Sequence, residues 1–307
     1  MSVLVLGGYG AVGAHLVRLL RAQHIPVITA GRDSTRADRV VDVTVPDRVG
    51  EALTGVTAVV NCAGTEDIRL AEACAERGIV FVEISATTEY VRALEHVDGP
   101  VVLGVGLAPG LTTLLAVDLL VRDRAPVDIM IGLGSGEHHG AAATAWTYRL
   151  LGQRFADADG TMIRNFTQPA RFPIPGHAGY PPFPALRADF ADQHRLTREF
   201  SVPVRSYLRL DSRLATAGLA ALTWAPALRA LAPGHLPGSD RWVVVVRSAD
   251  GRTRSATGRG QSLATAAVAA AVVRESAHHR ITAPTWIHQM LELGPLQRDL
   301  TAQGISF

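Results

Sequence analysis

Three glycines near the start of the chain have the spacing of a dinucleotide-binding turn. Gly8, Gly10 and Gly13 form a G-x-G-x-x-G pattern, directly after the apolar run 3–6 and directly before the helical stretch 14–20. In such a turn the first glycine permits a tight bend, the second lets a pyrophosphate approach the backbone, and the third lets the helix pack on the strand. The helix N-terminus then offers free N–H groups to the phosphates. A glycine-rich turn of any βαβ unit has similar letters, but the flanking strand and helix favour dinucleotide binding.

The residues after the second apolar run bear on which dinucleotide would bind. The run 26–30 is followed by Gly31, Arg32 and Asp33. An NAD site needs a carboxylate here to accept a hydrogen bond from the ribose 2′-hydroxyl, whereas a 2′-phosphate needs an arginine. Arg32 therefore favours NADP, and Asp33 keeps NAD open as the alternative.

A second cluster of residues suited to chemistry follows a later glycine-rich turn. Glu137, His138 and His139 precede Gly140 and a helical stretch. Free N–H groups there would hold a substrate anion, and a histidine titrates in the range that a proton donor needs. We expect His139, which is next to Gly140, to act on substrate more directly than His138. The alternative is a polar helix cap. The spacing does not fit a zinc-binding helix, so no metal is expected.

Composition excludes several classes of function. The chain has no lysine, which removes a Schiff-base lysine, a phosphate-binding Walker lysine and the Tyr-x-x-x-Lys dyad of short-chain dehydrogenases and epimerases. The net charge is only +2 and the arginines are dispersed, so no nucleic-acid partner is expected. The apolar stretch 262–273 is too short for a membrane span. Cys62 and Cys74, without an export signal, indicate a reducing cytoplasm.

The first part of the chain alternates between strand-like and helix-like segments. Helices are predicted to begin near Gly10, Pro46, Glu66 and Thr87. This order predicts an α/β fold, a Rossmann doubly wound parallel sheet, because nearly continuous apolar runs are typical of buried parallel strands. The predicted strands are 2–6, 26–30, 39–43, 57–62, 79–84 and 100–104.

The part of the chain after residue 122 has a different texture, which predicts an α+β region. A strand, a glycine-rich turn and a helix occupy 127–152, the proline-rich stretch 168–184 is neither helix nor central strand, and a helix is expected at 213–231. Asp250-Gly251 marks a tight hairpin between alternating strands. One face of this valine-rich hairpin is expected to be free of helices and to need a cover, which predicts a homodimer.

Several segments together resemble the saccharopine dehydrogenase-like, or saccharopine reductase-like, NADP-binding oxidoreductases. The resemblance covers about residues 1–120 and implies a Rossmann domain at 1–122, completed by C-terminal helices at 262–307. It also implies an inserted α+β domain at 123–261 for substrate contacts and dimerisation. The chain has Glu83 where the family often has aspartate, which leaves the substrate open. The resembling segments are "GGYGAVG", "VVNCAG", "GIVFVEISATTEYV" and "GLAPGLTTLLAVDLL".

The resemblance also implies which residues contact the cofactor. Ligands of open α/β sheets bind beyond the carboxyl ends of the strands, which supports these positions independently. Asp42 is a candidate for the adenine contact or a solvated loop acid. Cys62 has no local base, so a buried thiol is favoured over a nucleophile. The segment 106–111 either lies against the nicotinamide or, with Pro109 in the first turn, simply begins a helix. The implied cofactor contacts are Gly8, Tyr9, Gly10, Ala11, Val12, Asn61, Cys62, Ala63 and Ser85.

Together these features predict a cytoplasmic, NADP-dependent oxidoreductase. It would transfer a hydride between the nicotinamide and a C=N or C=O group of a small, carboxylated metabolite. The alternative is a non-catalytic NADP-binding redox sensor whose second domain binds a protein partner. An enzyme would enclose a polar pocket, whereas a sensor would expose an apolar patch.

Overall fold

A computed structural model describes residues 2–45, 49–136, 141–175, 183–231 and 238–307 of the chain. The predicted catalytic residues Glu137, His138 and His139 lie outside these residues. The chain divides into two compact units. Unit 1 comprises Met1–Leu111 and Ser262–Asp299, and unit 2 comprises Thr112–Gln261 and Leu300–Phe307. Whether unit 2 binds substrate or a second copy stays a prediction.

The strands fall into a large parallel sheet, a mixed sheet and a short hairpin. In chain order they are β1 (Val3–Leu6), β2 (Val27–Gly31), β3 (Arg39–Val40), β4 (Ala58–Asn61), β5 (Val80–Glu83), β6 (Val101–Leu103), β7 (Val127–Leu133), β8 (Arg154–Ala156), β9 (Met162–Arg164), β10 (Leu186–Arg187), β11 (Val204–Leu210), β12 (Arg241–Ser248), β13 (Thr253–Arg259) and β14 (Thr285–Trp286). The hairpin consists of β8 and β9.

Ten α-helices lie in the described ranges. In chain order they are α1 (Ala11–Ala22), α2 (Val49–Ala52), α3 (Ile68–Ala75), α4 (Thr88–Leu94), α5 (Thr112–Leu120), α6 (Ala141–Arg149), α7 (Ala191–Phe200), α8 (Arg213–Leu222), α9 (Gln261–Ser276) and α10 (Leu293–Thr301). None of the helices in the described ranges is long and apolar enough to cross a membrane.

The sheet of unit 1 has the order β14-β6-β5-β4-β1-β2-β3, and all of its strand pairs are parallel. Every residue of β1 and β4 is buried, as expected where helices cover both faces of a sheet. The predicted Rossmann-like α/β fold is confirmed. The sequence predicted six of the seven strands and missed β14, which has only two residues.

The sheet of unit 2 has the order β10-β11-β7-β12-β13 and is mixed, since β7 pairs in parallel with β11 and antiparallel with β12. The predicted hairpin is confirmed: β12 pairs antiparallel with β13, and Gly251 in its turn has φ +90°. Prediction and structure differ at 213–231. Helix α8 ends at Leu222 and a separate 3-10 helix spans Pro226–Leu231, because Pro226 lacks the N–H that would continue the helix.

The expected bare face of the hairpin sheet has a cover within the same chain. Val243 and Val245 form a buried cluster with Met130 and Tyr207, and Ala170, Phe172 and Ile174 pack against it. Phe172 meets the Tyr207 ring edge-on at 5.1 Å. The segment 170–174 therefore covers this face, and the reason given for a homodimer does not hold. The homodimer itself stays a prediction.

Candidate functional site

The turn between β1 and α1 is closed so tightly that side chains are excluded from it. Gly7 has φ +71°, and its N–H donates to the Ala30 oxygen at 2.8 Å. A Cβ on Gly8 would lie 2.9 Å from Thr29 Cβ, and one on Gly13 would collide with the backbone of Gly7. The backbone of this turn is thus packed against both neighbouring strands. The sequence prediction of a glycine-dependent turn here agrees with the geometry.

Helix α1 begins at this turn, and no side chain among the described residues caps its first N–H groups. Its N-cap is Gly10, which has extended backbone angles and makes no side-chain capping hydrogen bond. Ala11 and Val12 follow in the first turn and are partly exposed. No acidic residue lies in that turn. A twelve-residue helix with a bare N-terminus is suited to bind an anion such as a pyrophosphate.

Tyr9 reaches from the glycine turn to the end of β2. Its hydroxyl accepts a hydrogen bond from the Asp33 N–H at 3.0 Å, and a Cβ on Gly31 would collide with its ring. The guanidinium of Arg36 lies 4.5 Å from the ring centroid and donates to the Tyr9 carbonyl at 3.1 Å. The sequence prediction included Tyr9 but missed Arg36, because Arg36 lies several residues after the end of β2 and no pattern marks it.

The charged side chains at the end of β2 differ in how many hydrogen bonds and contacts they already make. The Asp33 carboxylate accepts hydrogen bonds from the Thr35 hydroxyl at 2.7 Å and the Thr35 N–H at 2.9 Å, which lower its pKa. Asp33 is thus engaged in its own turn. Arg32 is exposed, and Arg36 lies on Tyr9. Two arginines and one carboxylate that is already hydrogen-bonded therefore lie near the end of β2, where a dinucleotide site of this fold contacts the ribose.

Asp42 lies in a turn of its own after β3. Its Oδ1 accepts hydrogen bonds from the hydroxyl of Thr44 at 2.7 Å and from the N–H of Thr44 at 3.0 Å. This geometry is that of a loop acid, which was one of the two predictions for Asp42. The adenine contact stays a prediction.

At the carboxyl ends of β4 and β5 the structure brings two polar side chains together. Asn61 and Glu83 are register partners, and Asn61 Nδ2 donates to Glu83 Oε2 at 2.8 Å. Asn61 also organises residues 62–65, which we call the β4 loop. Its Nδ2 donates to the Thr65 carbonyl at 2.9 Å, and its Oδ1 accepts from the Ala63 N–H at 3.3 Å.

Glu83 is buried, with 2% of its surface exposed, and three donors meet its carboxyl group. Besides Asn61, the Tyr90 hydroxyl donates to Oε2 at 3.0 Å and the Ser85 N–H donates to Oε1 at 2.8 Å. Burial raises the pKa of Glu83 to about 7, against the lowering effect of these donors, and the charge of Glu66 raises it further. The sequence prediction gave Glu83 no function. A charged residue within the apolar run "IVFVEI" was the available signal.

Residues 84–87, which we call the β5 loop, donate hydrogen bonds to a second carboxylate, that of Glu66. The Ser85 hydroxyl donates to Glu66 Oε1 at 2.9 Å, and the Thr87 hydroxyl donates to the same oxygen. The predicted contacts Asn61, Cys62, Ala63 and Ser85 thus lie on adjacent strand ends of one sheet. Glu66, Thr87 and Tyr90 were missed by the sequence prediction.

Cys62 is placed at this edge but is not activated as a nucleophile. Burial raises the pKa of its thiol, and the charge of Glu83 raises it further. Because a thiolate rather than a thiol attacks, this environment keeps the group inert. Within the part of the chain that the structure describes, no cluster of His, Cys, Asp and Glu could hold a metal ion.

The segment 106–111 follows β6 and contains backbone that only glycine adopts readily. Gly110 has φ +136°, and the Leu107 N–H donates to the Thr265 hydroxyl at 3.3 Å. Pro109 was predicted in the first turn of a helix. Instead it has extended backbone angles and α5 begins at Thr112, so Pro109 precedes the helix.

The match to a family model lies within the first unit. Residues 3–76, well under half of the chain, match the model of the NAD dependent epimerase/dehydratase family. This range contains the glycine turn and the ends of β2 and β4. No curated protein matches the chain.

Three solved structures show partial similarity. UDP-N-acetylglucosamine 4-epimerase from Bacillus cereus is 23% identical, over 27% of this chain and 34% of that chain, with a TM-score of 0.24. The 3-alpha-hydroxysteroid dehydrogenase from Pseudomonas sp. B-0831, complexed with NADH, is 22% identical over 27% and 46%, with a TM-score of 0.23. Aspartate semialdehyde dehydrogenase II from Vibrio cholerae is 13% identical over 84% and 74%, with a TM-score of 0.35. The chain thus aligns with between a third and a half of the first two proteins.

Proposed function

We propose that this chain is an NAD(P)-dependent oxidoreductase, that NADP is its cofactor, and that it acts on a C=N or C=O group of a small metabolite. The glycine turn at the start of α1 carries the proposal. Its Cβ positions at Gly8 and Gly13 are closed by neighbouring atoms, while the helix N-terminus beside Gly10 has no side-chain cap. A turn that packs on its own strands and leaves N–H groups open is suited to a pyrophosphate.

The preference for NADP is supported by the charges at the end of β2. A 2′-phosphate is best held by guanidinium groups, which form charge-assisted hydrogen bonds, whereas a 2′-hydroxyl needs a carboxylate acceptor. Arg32 is exposed and Arg36 lies against Tyr9, while the Asp33 Oδ1 already accepts two hydrogen bonds. This distribution favours the phosphate over the hydroxyl.

The reaction class is supported by the chemistry that the residues leave available. When bound, the nicotinamide would supply the hydride, and the protein would orient the substrate and hold a proton. Cys62 is kept as a thiol by burial, and lysine is absent from the sequence, so covalent catalysis through these groups is disfavoured. The similarity to the epimerase/dehydratase family ends at residue 76, and the lysine of the Tyr-x-x-x-Lys dyad is missing.

The finer assignments rest on the sequence alone. The resemblance to the saccharopine reductase-like oxidoreductases supports a homodimer, and the two cysteines, Cys62 and Cys74, support a reducing cytoplasm. His139 remains the proposed proton donor, with His138 and Glu137 beside it. These three residues lie outside the described ranges.

A second candidate function is an NADP-binding redox sensor that does not turn over substrate. Three large apolar side chains of unit 2 support it, because Leu214 is 86%, Trp224 68% and Leu228 50% exposed. Leu214 lies on α8, and the other two follow it in the chain. Exposed apolar side chains of this kind are suited to contact a protein partner.

Two measurements test the proposal. Fluorescence titration should show NADPH binding more tightly than NADH, and a screen of amine and keto-acid pairs should show NADPH oxidation. Gly10→Val places a side chain at the open N-terminus of α1 and should weaken binding at least tenfold. The matched control is Gly294→Val, since a Cβ there meets nothing within 4 Å. Equal loss in both variants, or no binding by the wild type, would refute the proposal. Binding without turnover would favour the sensor.

A further inference from the structure

One carboxyl group in unit 1 is hydrogen-bonded directly to the β5 loop and is connected to the β4 loop through Asn61. Glu83 Oε1 accepts from the Ser85 N–H of the β5 loop. Glu83 Oε2 accepts from Asn61 Nδ2, which also holds the Thr65 carbonyl of the β4 loop, and from the Tyr90 hydroxyl of α4. These contacts join β4, β5 and α4 through one side chain that is 2% exposed.

The three donors fit an ionised carboxyl group better than a protonated one. A carboxylate is an acceptor only, with lone pairs on both oxygens. A proton on Oε2 would occupy a position that Asn61 or Tyr90 uses, and the loss of charge would weaken every one of these hydrogen bonds. A buried donor that loses its acceptor has no water to replace it. Protonation of Glu83 therefore loosens its hold on both loops.

The surroundings of Glu83 bring the pH at which it loses its proton close to neutral. Three described ionisable side chains act on Glu83 or respond to it. They are Glu66, which accepts hydrogen bonds from the β5 loop, Cys62 after β4, and Tyr90 on α4. Burial raises the pKa of Glu83 to about 7 although three donors oppose this, and Glu66 adds to the increase. Burial, with the charge of Glu83, also raises the pKa of the Tyr90 hydroxyl, which keeps it a donor.

We propose that Glu83 is a positioning residue of the nucleotide site: its ionised carboxyl group holds the β4 and β5 loops in place, and its protonation releases both. This inference rests on the proposed function, together with the expectation from the sequence that Asn61, Cys62, Ala63 and Ser85, at the start of these loops, contact the cofactor. Nucleotide affinity then depends on the charge of a side chain that does not touch the nucleotide.

Hydrogen exchange of the ligand-free protein tests the positioning role without any nucleotide. Peptides that cover 61–65 and 84–87 are followed in wild type, Glu83→Gln and Tyr90→Phe. At pH 8, Glu83→Gln should speed exchange in both loops at least tenfold, and Tyr90→Phe should have a smaller effect of the same kind. The control is Asp192→Asn, which changes a buried acid of unit 2 that accepts from the Thr112 hydroxyl at 2.7 Å. It should leave both loops unchanged.

A second measurement follows NADPH affinity between pH 5.5 and 8.5. Wild type should lose at least threefold more affinity than Glu83→Gln as the pH falls through 7, and the comparison cancels the titration of the 2′-phosphate itself. Unchanged exchange in the Gln variant, a change in only one loop, or parallel pH profiles would overturn the inference. If exchange responds as expected while neither nucleotide binds, Glu83 orders the loops and the proposed function is what fails.

Discussion

Replacing Gly13 with alanine tests whether the glycine turn is as tightly packed as its geometry indicates. Gly13 lies in the first turn of α1 and is buried. A Cβ there would lie 2.9 Å from both the Gly7 carbonyl carbon and the Gly8 Cα, and would collide with the Gly7 oxygen. Because ordinary van der Waals contact begins at 3.4 Å, the helix and turn must separate by at least the difference of 0.5 Å. All the colliding atoms are backbone, so no side-chain rotation relieves the contact.

The expected loss of stability follows from two opposing terms. Overpacking of a closed site costs about 1–3 kcal/mol, whereas alanine in place of glycine within a helix stabilises by about 1 kcal/mol. Collision with three backbone atoms puts Gly13→Ala at the upper end of the cost, and we expect a net loss of about 2 kcal/mol. The displaced turn should also bind NADPH at least tenfold more weakly.

The assay is urea unfolding together with NADPH titration. Gly294→Ala in α10 is the matched control, since it lies in the same unit and a Cβ meets nothing within 4 Å. The control should be neutral or up to about 1 kcal/mol more stable than wild type. If Gly13→Ala matched the control in both unfolding and affinity, the turn would be compliant and the packing argument would be wrong.

Three further predictions concern charge and proton transfer. Burial raises the pKa of Glu83 from its ordinary 4.5 to about 7. Relative to the unfolded chain, the group therefore contributes stability that is complete below pH 4.5 and is lost as the pH rises through 7. This global effect comes from burial and is opposite in sign to the local hold of the ionised group on the two loops, which comes from its three hydrogen-bond donors. Urea unfolding at pH 5 and pH 8 should show a loss of about 3 kcal/mol from this group in wild type and none in Glu83→Gln. Arg32→Ala should weaken NADPH by about 1.5–3 kcal/mol and leave NADH nearly unchanged in fluorescence titrations. His139→Ala should lower kcat/KM about 100-fold without changing NADPH affinity, and full turnover by this variant would reduce these histidines to a helix cap.

The fold of unit 1 could be predicted from sequence because its signals are local. Each buried parallel strand is a short apolar run, and the predicted positions of β1, β4 and β5 agree with the structure to within one residue at each end. Gly13 follows β1 so closely that strand, turn and helix can be recognised together. Strand β14 was missed because two residues, Thr285–Trp286, carry no periodicity.

The polar side chains at the carboxyl ends of β4 and β5 were predicted less completely than the sheet. The strand-end rule located Asn61 and Ser85, since it depends only on where a strand stops. It did not indicate that Glu83 would join them, because this contact depends on the register between β4 and β5 and on Tyr90 from a helix beyond. Hydrogen bonds between neighbouring elements are tertiary facts, and the apolar pattern of a strand does not encode them.

Unit 2 shows the limit of an argument from alternation. The valines of β12 predicted an apolar face of the sheet that needs a cover, but not what covers it. Segment 170–174 comes from a proline-rich stretch that has no helical or strand periodicity, and it nevertheless buries Val243 and Val245. A cover without regular structure leaves no pattern to recognise, so an apolar sheet face in a sequence predicts burial and not a partner. Since Trp224 is 68% exposed and those valines are buried, evidence for a homodimer has to come from other surfaces of this unit.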